Sequence, residues 1–70
     1  MIKFAERLKE LRLENNLSQT QLATETGFSQ AAIARWENGK QITNIEVALI
    51  ISNFFKVSTD YLIGKVDYLN

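Results

Sequence analysis

The stretch Leu17 to Gly39, LSQTQLATETGFSQAAIARWENG, carries two helix starts and two glycine stops within 23 residues. Ser18 and Gln21 have the S-x-x-Q spacing of a capping box, in which each side chain satisfies a free backbone N–H, so a helix starts at Ser18. Gly27 ends that helix and supplies a backbone that takes positive φ. Ser29 caps the next helix, which runs to about Asn38 and stops at Gly39. Two short helices are thereby joined by a tight turn. Ala23 leaves room where they cross, and Ile33 points inward to lock the second.

The rest of the 70 residues continues the helical pattern, with no proline and no repeat or low-complexity segment. Phe4, Leu8 and Leu11 recur at helical spacing and define an inward stripe on helix 1, Ile2 to Asn15. Lys3, Glu6, Arg7, Lys9, Glu10 and Glu14 read as a solvated surface. Asn15 and Asn16 end the helix, because asparagine tolerates the left-handed conformation. Thr43 and Glu46 form a T-x-x-E capping box that opens helix 4, which extends to about Lys56. Ser58 caps a short helix 5 that stops at Gly64. The expectation is an all-α, compact five-helix domain over residues 1–64. Residues 65–70 form a C-terminal tail available to a dimer contact.

Composition narrows the chemistry. The chain has no cysteine and no histidine, which removes disulfides, thiolate metal sites and the commonest general base. There is no nucleophile motif and no Gly-rich phosphate loop, so no enzyme, metal, cofactor or small-molecule ligand is expected. No apolar run approaches the roughly 20 residues that span a bilayer, and MIKFAERLKE lacks a signal-peptide core. A cytoplasmic protein that does not engage a membrane is the default. With 46% hydrophobic residues a packed core is expected. Eight basic and eight acidic side chains cancel, so any nucleic-acid contact depends on where charges sit rather than on their sum.

A tight pair of helices of this kind is a helix-turn-helix, which lays its second helix in the DNA major groove. Advancing about 100° per residue along helix 3 groups Ile33, Trp36 and Glu37 on one side. Ala31, Ala34, Arg35 and Asn38 fall on the other, with Gln30 at the border. The apolar group faces the core, so the second group faces outward. Glutamine bonds adenine at two points, arginine grips guanine O6 and N7, and alanine touches a thymine methyl. Gln19, at the first turn of helix 2, meets the free N–H groups and dipole that attract phosphate. Asn38 and Lys40 follow helix 3, and Thr43 and Asn44 start helix 4; all four are candidate phosphate contacts.

Taken together, FAERLKELR, LSQTQLA, Gly27, ARWENGK and KVSTDYLIG make the chain resemble the Cro/cI-type, or XRE, helix-turn-helix family over nearly its whole length. The resemblance implies a lambda-repressor-like DNA-binding domain that regulates transcription, here as a repressor, and binds operators as a dimer. It places base readers at Gln30, Ala31, Ala34 and Arg35, and phosphate contacts at Gln19, Asn38 and Lys40. It also implies an internal ion pair between Arg12 and Glu37 that ties helix 1 to helix 3. Thr43 stands where the family often has proline, and two frequently polar reading positions are alanine.

Helix 4 carries more apolar residues than one inward stripe needs. Ile45, Ala48, Ile51, Ser52 and Phe55 fit the inward face. Val47, Ile50 and Phe54 lie opposite, and exposed apolar patches mark contacts. They are the candidate dimer face, in a homodimer built from helix 4, helix 5 or the tail with its Val66, Tyr68 and Leu69. The alternative is a protein-interaction module of the same fold that acts through this face.

Overall fold

The computed structural model describes residues 3–39 and 44–67. Five helices lie within them: α1 Phe4–Glu14, α2 Gln19–Thr26, α3 Gln30–Glu37, α4 Ile45–Phe55 and α5 Thr59–Ile63. The all-α five-helix expectation is the architecture found.

Local signals set most of the helix ends. On α2 the capping box is complete: Ser18 Oγ accepts from Gln21 N at 3.0 Å, and Gln21 Oε1 accepts from Ser18 N at 2.7 Å. Gly27 closes the helix at φ 81°, its N–H donating to the Ala23 carbonyl. Ser29 Oγ accepts from Ala32 N at the start of α3, and Ser58 Oγ from Tyr61 N at the start of α5. Asn15 is the C-cap of α1, and Asn16 takes φ 58° just beyond it. The expected first helical residue, Ile2, lies outside the described residues.

One cap differs. Asn44, not Thr43, is the N-cap of α4, its Oδ1 accepting from Val47 N at 2.9 Å. Asparagine is as good a cap as any residue, and its position one residue later moves the helix start with it. Thr43 itself lies outside the described residues.

The core joins all five helices. Leu8, Leu22, Ile33, Ala48, Ile51 and Leu62 are fully buried. α3 packs on α1 and α2, while α5 packs on α1 and α4. Trp36 makes T-shaped contacts with two rings, Phe28 at 5.0 Å and Phe4 at 6.4 Å between centroids. Such pairs add about 0.5–1.5 kcal/mol beyond the area they bury.

Two expectations about faces are corrected. Arg7 is not on a solvated surface: it is 8% exposed. Its guanidinium donates to the carbonyls of Tyr61 and Val66 and to Asp67 Oδ1, and lies 4.0 Å above the Tyr61 ring. Arg7 shares the helical stripe of Phe4, Leu8 and Leu11. Burial on that stripe is tolerated because carbonyls, a carboxylate and an aromatic face meet the charge. Residues 65–67 of the tail are thereby fastened to α1. Tyr68 and Leu69 lie outside the described residues.

The second correction concerns α4. Ala48, Ile51 and Ser52 are buried as expected, but Ile45 is 59% exposed. Val47 and Phe54, placed on the candidate dimer face, instead pack partly against the core. α4 has neighbours on two sides, α2 and α5, so the arc it buries is wider than one stripe. The apolar surface left open is Ile45, Leu49 and Ile50.

Candidate nucleic-acid interface

The candidate surface is the outer side of α3, and the inner side fixes how it is presented. Ala32, Ile33 and Trp36 are buried. That rotation leaves Gln30, Ala31, Arg35 and Asn38 exposed and Ala34 half-buried. The face is open at its first turn and small in its middle, where two alanines keep side-chain bulk off the helix.

Glu37 lies on the inward flank and meets α1. Arg12 Nε donates to Glu37 Oε2 at 2.6 Å and Arg12 Nη2 to Glu37 Oε1 at 2.9 Å. The third arm of the guanidinium, Nη1, donates to the Leu17 carbonyl at 2.8 Å. The two side chains are only 10% and 4% exposed. The hydrogen bond from Arg12 to Glu37 and their mutual attraction raise the Arg12 pKa further above its ordinary value, against the opposing effect of burial. A buried pair of this kind adds little net stability over an apolar replacement, but it holds its partners to one geometry. Here that geometry is the angle of α3 relative to α1, together with the turn entering α2.

The same carboxylate reaches further. Gln19 Nε2 donates to Glu37 Oε1 at 3.2 Å, and Gln30 Nε2 donates to Gln19 Oε1 at 2.7 Å. Arg12, Glu37, Gln19 and Gln30 thus form one hydrogen-bonded row from the interior to the first turn of α3. Sequence reasoning assigned Gln19 to phosphate and Gln30 to a base, and missed the link between them. A signal was present. Ser18-Gln19 and Ser29-Gln30 are the same pair repeated, each a cap followed by the first residue of a helix.

Of the other candidate phosphate contacts, Asn38 is the exposed C-cap of α3, and Asn44 commits its side-chain oxygen to capping α4. Lys40 and Thr43 lie outside the described residues. No helix among the described residues is long and apolar enough to cross a membrane.

Two helices crossing at a left-handed glycine, with the second turned outward over a five-helix core, define a helix-turn-helix domain. Residues 8–62 match the helix-turn-helix family model. The chain belongs to that family, in its Cro/cI (XRE) type, a family of transcriptional regulators. It is 44% identical over 63 residues to the HTH-type transcriptional activator BcrR of Enterococcus faecalis, covering 90% of this chain and 31% of that protein. It is 51% identical over 70 residues to the HTH-type transcriptional repressor RghR of Bacillus subtilis (strain 168), covering 99% of this chain and 52% of that protein. The chain therefore spans about a third to a half of the length of these two relatives. Among solved structures, the P22 c2 repressor protein in complex with a synthetic operator aligns with a TM-score of 0.78 at 32% identity, covering 84% of this chain and 89% of that one. The fold is lambda-repressor-like, as the sequence implied.

Proposed function

We propose that the chain is a sequence-specific double-stranded DNA-binding repressor that inserts α3 into the major groove as a homodimer on a near-palindromic operator. The outward face of α3 carries this reading, with Gln30, Ala31 and Arg35 exposed on a helix whose other side is buried. In this reading Gln30 bonds adenine and Arg35 grips guanine. Ala31 and Ala34 let the helix backbone approach the bases. Gln19, Asn38, Lys40, Thr43 and Asn44 hold the flanking phosphates. The likeness to a repressor held on operator DNA, and to a relative named as a repressor, supports it.

Dimerisation follows from energetics. The chain has no net positive charge, and phosphate contacts supply much of DNA affinity. A second copy doubles both phosphate and base contacts. The exposed Ile45, Leu49 and Ile50 of α4 offer the apolar surface for it. The same surface favours the second reading, a protein-interaction module of this fold.

Selection from a random duplex pool separates the two. The expected result is an enriched near-palindrome with half-sites about one helical turn, roughly 34 Å, apart. Salt titration of the selected site should give a shallow slope, reflecting few neutralised phosphates. Arg35→Ala should relax preference at one position and cost about 1–3 kcal/mol there. Equal loss on every sequence would reassign Arg35 to phosphate. A pool without enrichment would favour the interaction module.

A further inference from the structure

The geometry points to Glu37 as a positioning residue for base selection: its carboxylate sets which way round the Gln30 amide faces the groove. This rests on the DNA-reading role proposed for Gln30. An ionised carboxylate has no proton to give and only accepts hydrogen bonds. Gln19 must therefore turn its NH2 group toward Glu37 and its carbonyl oxygen away, as the 3.2 Å contact records. Gln30 meets that oxygen at 2.7 Å and must offer its own NH2. One buried charge, held at both oxygens by Arg12, thus orients two amides in succession.

The orientation has a chemical consequence. With its NH2 turned to Gln19, Gln30 keeps a carbonyl oxygen and one N–H for the groove. That is the acceptor–donor pair that adenine N6 and N7 require. The reverse orientation puts the NH2 group outermost and suits the two acceptors of guanine, O6 and N7. Glu37 therefore selects adenine over guanine at a base it does not touch.

The first test needs no DNA. In nitrogen-15 NMR of the free protein, one NH2 proton each of Gln19 and Gln30 should be shifted downfield of its usual side-chain amide position and protected from exchange with solvent. Amides at the usual positions that exchange like those of free glutamine would overturn the relay. Glu37→Gln should return both amides toward the usual positions and remove the protection while the backbone spectrum stays dispersed. If that variant does not fold, Arg12→Met with Glu37→Gln leaves no lone buried charge and carries the same readout. On the selected operator, Glu37→Gln should lower the adenine-over-guanine preference at the Gln30 position about tenfold and leave other positions unchanged. Gln19→Met should do the same on top of a uniform loss from its phosphate contact, and make Glu37→Gln silent in its background. A uniform loss on all sequences from Glu37→Gln, with the adenine preference kept, would overturn the selection role. Protected amides in a protein without sequence preference would retain the relay and overturn the DNA reading instead.

Discussion

Arg12 and Glu37 show what one residue's partner decides. Each charge sits inside the domain and is matched by the other through two hydrogen bonds. Removing either leaves the remaining charge buried and unmatched, which costs about 3–5 kcal/mol. Arg12→Ala and Glu37→Ala should therefore each lower the denaturant midpoint steeply, read by the fluorescence of Trp36, the one tryptophan and a buried one. Replacing both by apolar residues of similar size should recover much of the loss. An unchanged midpoint in both single variants would contradict the buried pair. Arg7 makes a contrasting case. Its partners are mainly backbone carbonyls and an aromatic face, and they fasten both α5, through Tyr61, and the chain just after it to α1.

At the scale of the element, the ends carry most of the information. α2, α3 and α5 each begin with a serine whose hydroxyl accepts from the third helical residue, and α4 uses asparagine in the same way. The C-termini of α2 and α5 fall on left-handed glycines. α4 differs, ending on Lys56 at φ 58°, where a side chain is disfavoured. Glycine there removes the steric cost, and part of that gain returns as unfolded-chain freedom. Lys56→Gly should stabilise the domain by about 0.5–1 kcal/mol in equilibrium denaturation. A loss of stability would mean that the Lys56 side chain makes a contribution larger than its backbone strain.

Across the whole molecule, two surfaces set how the domain behaves toward its surroundings. The first joins the two ends of the described chain. Asp67 receives Arg7 at 2.9 Å and Lys3 at 3.7 Å. The Arg7 hydrogen bond first, then the charges of Lys3 and Arg7, hold its carboxyl below the ordinary value of 3.8. A depressed carboxyl stabilises the fold fully above its unfolded pKa, and the contribution vanishes as pH falls through the lower folded value. Asp67→Asn should thus melt below the native protein at neutral pH, and the two should converge in acid. The side chain is 86% exposed, so solvent keeps the difference small. The second surface is Ile45, Leu49 and Ile50. If the proposed dimer uses this surface, Leu49→Lys should shift sedimentation toward monomer and weaken operator binding, while the domain stays folded and its melting no longer depends on concentration. Loss of binding from a protein that is monomeric throughout would place the defect elsewhere.

The class of fold, the five helices and the outward face of α3 are legible in the amino-acid order. Caps such as Ser18 and Ser29, the glycine at 27 and the Phe4–Leu8–Leu11 stripe act within a few residues, so they can be read without a structure. Resemblance supplied the Arg12–Glu37 pair, which lies 25 residues apart. Tertiary structure alone decided what docking brings together: Arg7 with Asp67 across 60 residues, and Gln30 with Gln19 across 11. It also decided which apolar side of α4 stays open, turning Ile45 outward and Val47 and Phe54 toward the core. Periodicity tells which residues share a side of a helix. How many sides are covered depends on the neighbours, and α4 has two. The helix α3 is therefore written in local sequence, while the row of hydrogen bonds that orients its first side chain exists only once α1, α2 and α3 have met.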